Sequence, residues 1–181
     1  MNKKLIDDQI SQITQILNPY FYNLGFTPNM LTGLSFVFML LSVLMFYKDY
    51  RILAVLFYII NYYFDCADGN MARKYNMVSK FGDFFDHITD IIGVIVILIV
   101  LYLKNKKTFV KLIPLGIILS IIILNDLGYD EIQKQKNNGY KSNQTISFTR
   151  HFCFINSPNF VYVFNIAFVI ICVCLVLYLY N

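Results

Sequence analysis

The chain has 181 residues, of which 57% are hydrophobic and only 14% charged, where a water-soluble domain of this length carries roughly a quarter charged residues. Its net charge of +4 is scattered over loops with no dense basic run, which excludes a nucleic-acid partner and makes a surface beside anionic membrane lipid the reading of the positive charge. The apolar residues arrive in long blocks rather than in alternation, so the sequence predicts an all-α, polytopic membrane helix bundle of about five to six transmembrane helices.

In chain order, residues 1–29 read as an N-terminal juxtamembrane segment and 30–181 as the transmembrane domain. Ile6, Ile10, Ile13 and Leu17 fall at helical spacing among Lys, Asp, Gln and Ser. They predict an N-terminal amphipathic helix, either lying along the membrane surface or packed on its own bundle. With no continuous apolar core, Met1 to Leu17 does not read as a cleavable signal peptide. Asn18, Pro19, Gly25 and Pro28 then break the pattern.

Met30 to Tyr47 is the first long apolar block and Ile52 to Phe64 the second, which runs without Gly or Pro into a polar stretch from Asp65 to Lys80. Ile88 to Leu103 is the third, closed by Lys104, Lys106 and Lys107. Phe109 to Leu124 is the fourth, with Pro114 kinking it or marking its first turn. Asn125 to Asn159 is polar and reads as a loop with a short surface helix, and Phe160 to Tyr180 is a fifth block long enough to span. Loop charge places the Asp65–Asp90 segment on the cytoplasmic side, although Lys104, Lys106 and Lys107 then lie outside. The cysteines, Cys66, Cys153, Cys172 and Cys174, lack zinc spacing, and neither a disulfide nor a structural metal is expected from them.

Chemistry concentrates in FDCADGNMARKYNMVSKFGDFFDHITD, from Phe64 to Asp90. On a helix Asp65 and Asp68 share a face at i, i+3, and Asp86 and Asp90 share a face of the next helix at i, i+4. Two antiparallel neighbours bring all these carboxylates around one spot. Carboxylates that close repel unless cations neutralise them. Hard divalent ions with oxygen ligands, Mg²⁺ or Mn²⁺, meet that need. Such a set suits two bridged ions about 3.5–4 Å apart, an arrangement that clamps phosphoryl groups. Gly69 and Gly82 sit beside the acids although Gly costs a helix about 1 kcal/mol relative to Ala. They imply close approach, either of a nucleotide to the backbone or of packed helices. Ala72 is a third small residue on that side, and Arg73 offers a fork of donors to a diphosphate. Asp83, three residues before Asp86, could share its face.

This stretch resembles the signature of the class-I CDP-alcohol phosphotransferase (CDP-alcohol phosphatidyltransferase) family, D-x-x-D-G-x-x-A-R-(x)8-G-x-x-x-D-x-x-x-D. All its fixed positions are present as Asp65, Asp68, Gly69, Ala72, Arg73, Gly82, Asp86 and Asp90; Asp83 is not among them. Upstream, Thr27-Pro28-Asn29-Met30-Leu31-Thr32 resembles the T-P-N-x-L-T stretch at the start of the family's first span. The resemblance implies transfer of a phospho-alcohol or phosphatidyl group from a CDP-linked donor to an alcohol acceptor, with release of CMP, in phospholipid biosynthesis. It implies Asp65, Asp68 and Asp86 as metal ligands, and Asp90 as a further ligand, the general base, or both. It places Gly69 and Ala72 where the cytidine needs room and Arg73 close to the nucleotide. It also implies a homodimer with six spans, one more than is recognisable here.

Phe85-Asp86-His87 resembles the F-D-H of choline and ethanolamine phosphotransferases, in which reading His87 assists Asp90 in removing a proton. The competing subfamily uses CDP-diacylglycerol and attaches its phosphatidyl group to inositol, serine or a glycerol phosphate. Arg150 and His151 are candidates for holding a phosphorylated acceptor. From outside the family, a divalent-cation carrier or channel would also use carboxylates, but would need them mid-span and facing a pore.

Overall fold

The computed structural model describes residues 5–138 and 166–180, and every regular element among them is an α-helix. The helices are α1 (Leu5–Asn23), α2 (Pro28–Tyr47), α3 (Arg51–Lys74), α4 (Lys80–Lys104), α5 (Lys106–Asn138) and α6 (Ile166–Leu179). Among the described residues four segments are long and apolar enough to cross a membrane: α2, α3, α4 and Lys106–Asn125 of α5. The chain is a multi-pass membrane protein. The described part of the fifth apolar block is α6, 14 residues; Phe160 to Asn165 lie outside the described residues, as do Cys153, Arg150 and His151.

The chain divides into two compact units, Asp7–Phe109 with Cys174–Asn181, and Met1–Ile6 with Val110–Val173. In the second unit, α5 corrects the expected loop after Leu124, because the helix runs on to Asn138 with Pro114 inside it. At 1.5 Å per residue its 33 residues extend about 50 Å, well beyond a hydrocarbon core of about 30 Å. The fall in hydropathy at Asn125 marks the end of the apolar stretch and not of the helix, since Glu, Gln and Lys are good helix formers.

The first unit holds the acid-bearing stretch and most of α1 to α4. α1 also runs past its expected end, through Pro19 to Asn23. A proline inside a helix leaves the carbonyl four residues earlier without its usual partner. Here that carbonyl is Gln15, and Lys74 Nζ of α3 reaches it at 3.3 Å. Gly25, at φ +84°, then turns the chain, and Phe26 N donates to Phe21 O at 3.0 Å. Thr27 caps α2 by accepting from Met30 N at 3.4 Å, with Pro28 opening the helix.

α1 packs with its polar side inward. Thr14 and Asn18 are fully buried, while Ile13, Ile16 and Tyr20 are exposed. Asn18 Nδ2 donates to Ala67 O at 2.9 Å, and Asn70 Nδ2 to Thr14 Oγ1 at 2.7 Å. Of the two expectations for this helix, packing on its own bundle is the one these contacts show. Beneath it Leu31, Ala67 and Met71 form a buried cluster flanked by Phe21, Phe26 and Phe64.

α2 and α3 are antiparallel neighbours tied by Ser42 Oγ to Ala54 O (2.7 Å) and Ser35 Oγ to Asn61 Oδ1 (2.9 Å). Such small-residue and hydroxyl contacts suit membrane helices, where lipid is as apolar as the side chains and burial alone gives little drive. α4 closes on α2 at Gly93, where Met39 fills the space a Cβ would take. At the end remote from the acids, Lys104 Nζ donates to Phe46 O (3.2 Å) and pairs with Asp49 (2.6 Å). Tyr180 OH reaches Leu101 O at 2.6 Å beside it. These side chains add second donors to carbonyls in the last turns of α2 and α4, where Phe46 O also accepts from Asp49 N at 3.1 Å and Leu101 O from Asn105 N at 3.3 Å.

Candidate functional site

The turn between α3 and α4 brings the acids together. Tyr75 N closes α3 on Met71 O at 3.0 Å and Met77 N reaches back to Ala72 O at 2.8 Å. Asn76 takes φ +54°, and Ser79 caps α4 by accepting from Gly82 N at 3.0 Å. α4 then turns back to pack on α2, and its i, i+4 acids come within reach of Asp65 on α3.

Asp65, Asp86 and Asp90 each present a carboxylate oxygen within 4.8 Å of the other two. Asp65 and Asp86 are half-buried and Asp90 is exposed. Asp86 Oδ1 is buried and has no hydrogen-bond partner. An orphaned carboxylate oxygen in a cluster of like charge is costly as it stands and is satisfied by a cation. The donor set is all oxygen, which fits Mg²⁺ or Mn²⁺ and does not fit a thiolate-seeking metal.

Asp68 stands outside that group. It is 6% exposed, and its Oδ2 accepts from Thr32 Oγ1 of α2 at 2.5 Å. Asp83 is exposed in the first turn of α4 and is not part of the cluster. There its charge faces the positive end of the helix dipole. His87 lies with Nδ1 3.9 Å from Asp86 Oδ2 and its side chain 70% exposed, so it neighbours Asp86.

The small residues have identifiable neighbours. A Cβ on Gly82 would stand 2.8 Å from Asn29 Oδ1, so glycine here admits the first turn of α2 against the first turn of α4. A Cβ on Gly69 would stand 3.3 Å from Arg73 Nη1 and 3.4 Å from Nη2, so the guanidinium lies folded back into the notch that Gly69 leaves. Ala72 is half-buried on the same helix.

A cavity of about 200 Å³ adjoins Asp90 between α2, α3 and α4, with Ser35, Tyr58, Asn61 and Thr89 among its polar lining. Polar side chains inside spans that face a cavity are a mark of function.

Asn29 and Thr32 were visible in the Thr27–Thr32 stretch but carried no assigned role. Two polar residues at i, i+3 opening an apolar block were the available signal. Asn70 and Thr14 had no such signal, because their contact depends on how α1 docks.

A family model described as CDP-alcohol phosphatidyltransferase matches residues 26–171. The chain is 35% identical over 85 residues to the archaetidylinositol phosphate synthase of Pyrococcus horikoshii, covering 47% of this chain and 45% of that protein. It is 36% identical over 98 residues to the CDP-diacylglycerol–glycerol-3-phosphate 3-phosphatidyltransferase of Rickettsia felis, covering 51% of each. The chain thus spans about half the length of the curated relatives it matches.

Proposed function

The chain belongs to the CDP-alcohol phosphatidyltransferase family, and on that basis we propose that it moves a phosphatidyl-type group from a CDP-linked lipid to the hydroxyl of an alcohol acceptor, releasing CMP. The observation that carries this reading is the convergence of Asp65, Asp86 and Asp90 around a buried, unpartnered oxygen of Asp86. The family match over residues 26–171 favours this reading over a cation carrier.

In this reaction the acceptor oxygen bonds to the lipid-linked phosphorus of the diphosphate while the bond from that phosphorus to the CMP oxygen breaks. Asp90, the most exposed acid of the cluster, takes the acceptor's proton. Asp65 and Asp86, with the oxygen of Asp68 that Thr32 does not hold, would bind the divalent cation or pair of cations. When bound, such ions neutralise charge on the diphosphate and the departing CMP. Thr32 fixes the orientation of Asp68, and Arg73 supplies donors to the diphosphate. His87 plays a helper's part at Asp86, from which it is 3.9 Å away. The names of the two relatives favour a lipid-linked CDP donor over CDP-choline or CDP-ethanolamine. A cytoplasm-facing site, where CMP returns to the soluble nucleotide pool, and a homodimer belong to the same proposal.

The test is a reconstituted assay with Mn²⁺ in which labelled CDP-diacylglycerol is offered with inositol phosphate or glycerol phosphate, and CDP-choline separately with diacylglycerol. A phosphatidyl product with CMP in the first arm is expected. Product only in the second arm would overturn the donor assignment, and CMP from neither would overturn the transferase.

A further inference from the structure

Arg73 is exposed, yet it is not free to swing. Its Nη2 donates to Asn70 Oδ1 at 3.0 Å, and its guanidinium lies 3.3–3.4 Å from the point where a Cβ on Gly69 would stand. An arginine has only donors to offer, so the amide of Asn70 must turn its oxygen to Arg73 and its NH₂ the other way. The NH₂ meets Thr14 Oγ1 at 2.7 Å, on α1, and Thr14 is fully buried. An amide is planar and rigid, so fixing its nitrogen fixes the direction of its oxygen.

α1 is itself anchored on α3 at either side of this contact, by Asn18 on Ala67 O (2.9 Å) and Lys74 on Gln15 O (3.3 Å). The exposed side of α1 carries Ile13, Ile16 and Tyr20. A surface helix with an apolar outer side thus ends, through two side chains, at the one arginine on the acid-bearing stretch of α3.

We propose that Thr14 and Asn70 are positioning residues that hold the Arg73 guanidinium over Gly69 in the orientation that receives the diphosphate of the CDP-linked donor, so that α1 sets donor affinity. This rests on the proposed function, in which Arg73 meets that diphosphate. Neither Thr14 nor Asn70 touches the donor in this scheme; both act through Arg73.

The experiment is equilibrium binding of cytidine diphosphate to the full chain in lipid nanodiscs with saturating Mn²⁺, with Mn²⁺ binding measured alone as a check of the folded acid cluster. Asn70→Ala, which removes a hydrogen bond to a charged group, weakens nucleotide binding roughly tenfold, and Thr14→Val, which removes a neutral one, weakens it about threefold, while both leave Mn²⁺ binding unchanged. Thr14→Ser, which keeps the hydroxyl, binds like the wild type. In an Arg73→Ala background, adding Asn70→Ala causes no further loss, since the two act as one unit. If Asn70→Ala loses Mn²⁺ binding, Thr14→Val, which keeps the side-chain shape, carries the test alone. Wild-type nucleotide affinity in Thr14→Val or Asn70→Ala, or an equal loss whether or not Arg73→Ala is present, overturns the proposal. A wild-type protein that binds Mn²⁺ but no cytidine diphosphate overturns instead the function on which it rests.

Discussion

Asn29 Oδ1 lies 2.8 Å from the point where a Cβ would stand on Gly82. The contact joins the first turn of α2 to the first turn of α4, four residues ahead of Asp86. It gives Gly82 a structural reason that does not invoke ligand: the N-terminus of α4, and with it the acids on its next turns, is seated against α2.

Gly82→Ala is therefore expected to impair turnover without unfolding the protein. Alanine gains about 1 kcal/mol of helix propensity over glycine, which offsets the crowding, so the melting temperature should move by only a few degrees. A shift of the acids of under about 1 Å can still cost on the order of tenfold or more in rate. Asn29→Ala in the same chain should recover part of the loss. A Gly82→Ala enzyme with wild-type CMP release would show that the contact does not position the acids.

Thr32 holds Asp68 by the hydrogen bond at 2.5 Å. Thr32→Val removes the side-chain donor of a buried carboxylate, at a cost of about 1–3 kcal/mol. We expect Mn²⁺ affinity, measured by isothermal titration, to fall roughly tenfold in Thr32→Val and to return in Thr32→Ser. Equal affinity in all three proteins would remove Thr32 from the site.

His87 is largely exposed and nearest to Asp86. A general base contributes about 10²–10⁴-fold to a rate. As a helper, His87 should contribute less, and His87→Gln should keep more than about a tenth of wild-type turnover. A loss as large as that of Asp90→Asn would make it the base.

Far from the site, the hydrogen bond from Lys104 and its positive charge hold the Asp49 carboxyl below its ordinary value of 3.8. A carboxyl depressed on folding stabilises the fold at neutral pH and down to its unfolded value, and loses that contribution as pH falls through the lower folded value. Because Asp49 is exposed, the effect is small and screened by salt. The melting temperatures of wild type and Asp49→Asn should differ slightly at pH 7 in low salt and converge below about pH 3. Lys104→Met should cost more at every pH, since Lys104 also serves Phe46 O and Tyr47 O. A difference that grows on acidification would contradict the pairing.

What the sequence disclosed and what it hid divide along a physical line. Spacing along one helix is local, so the shared face of Asp86 and Asp90 was legible, as was the turn that lets α4 bring them back to Asp65. Hydropathy was a good guide to apolar spans and a poor one to helix ends. It missed Pro19, whose loss of a backbone bond is offset by Lys74 at Gln15, and it stopped α5 at Asn125. Apart from that meeting of acids, contacts between elements were not legible. Thr32 on Asp68, Asn29 at Gly82 and Thr14 on Asn70 each join residues far apart in sequence, and the inward-facing polar side of α1 inverts the usual arrangement.

On the proposed function, the acids converging from α3 and α4 drive release of CMP, with Asp90 as the base. The direct measurement is CMP release from CDP-diacylglycerol by the reconstituted protein with Mn²⁺ and an alcohol acceptor, wild type against Asp90→Asn, at matched Mn²⁺ occupancy and matched melting temperature. Acceptor-dependent CMP from the wild type and a loss of roughly 10²-fold or more in Asp90→Asn are expected. Unchanged CMP release by Asp90→Asn would contradict this role of Asp90.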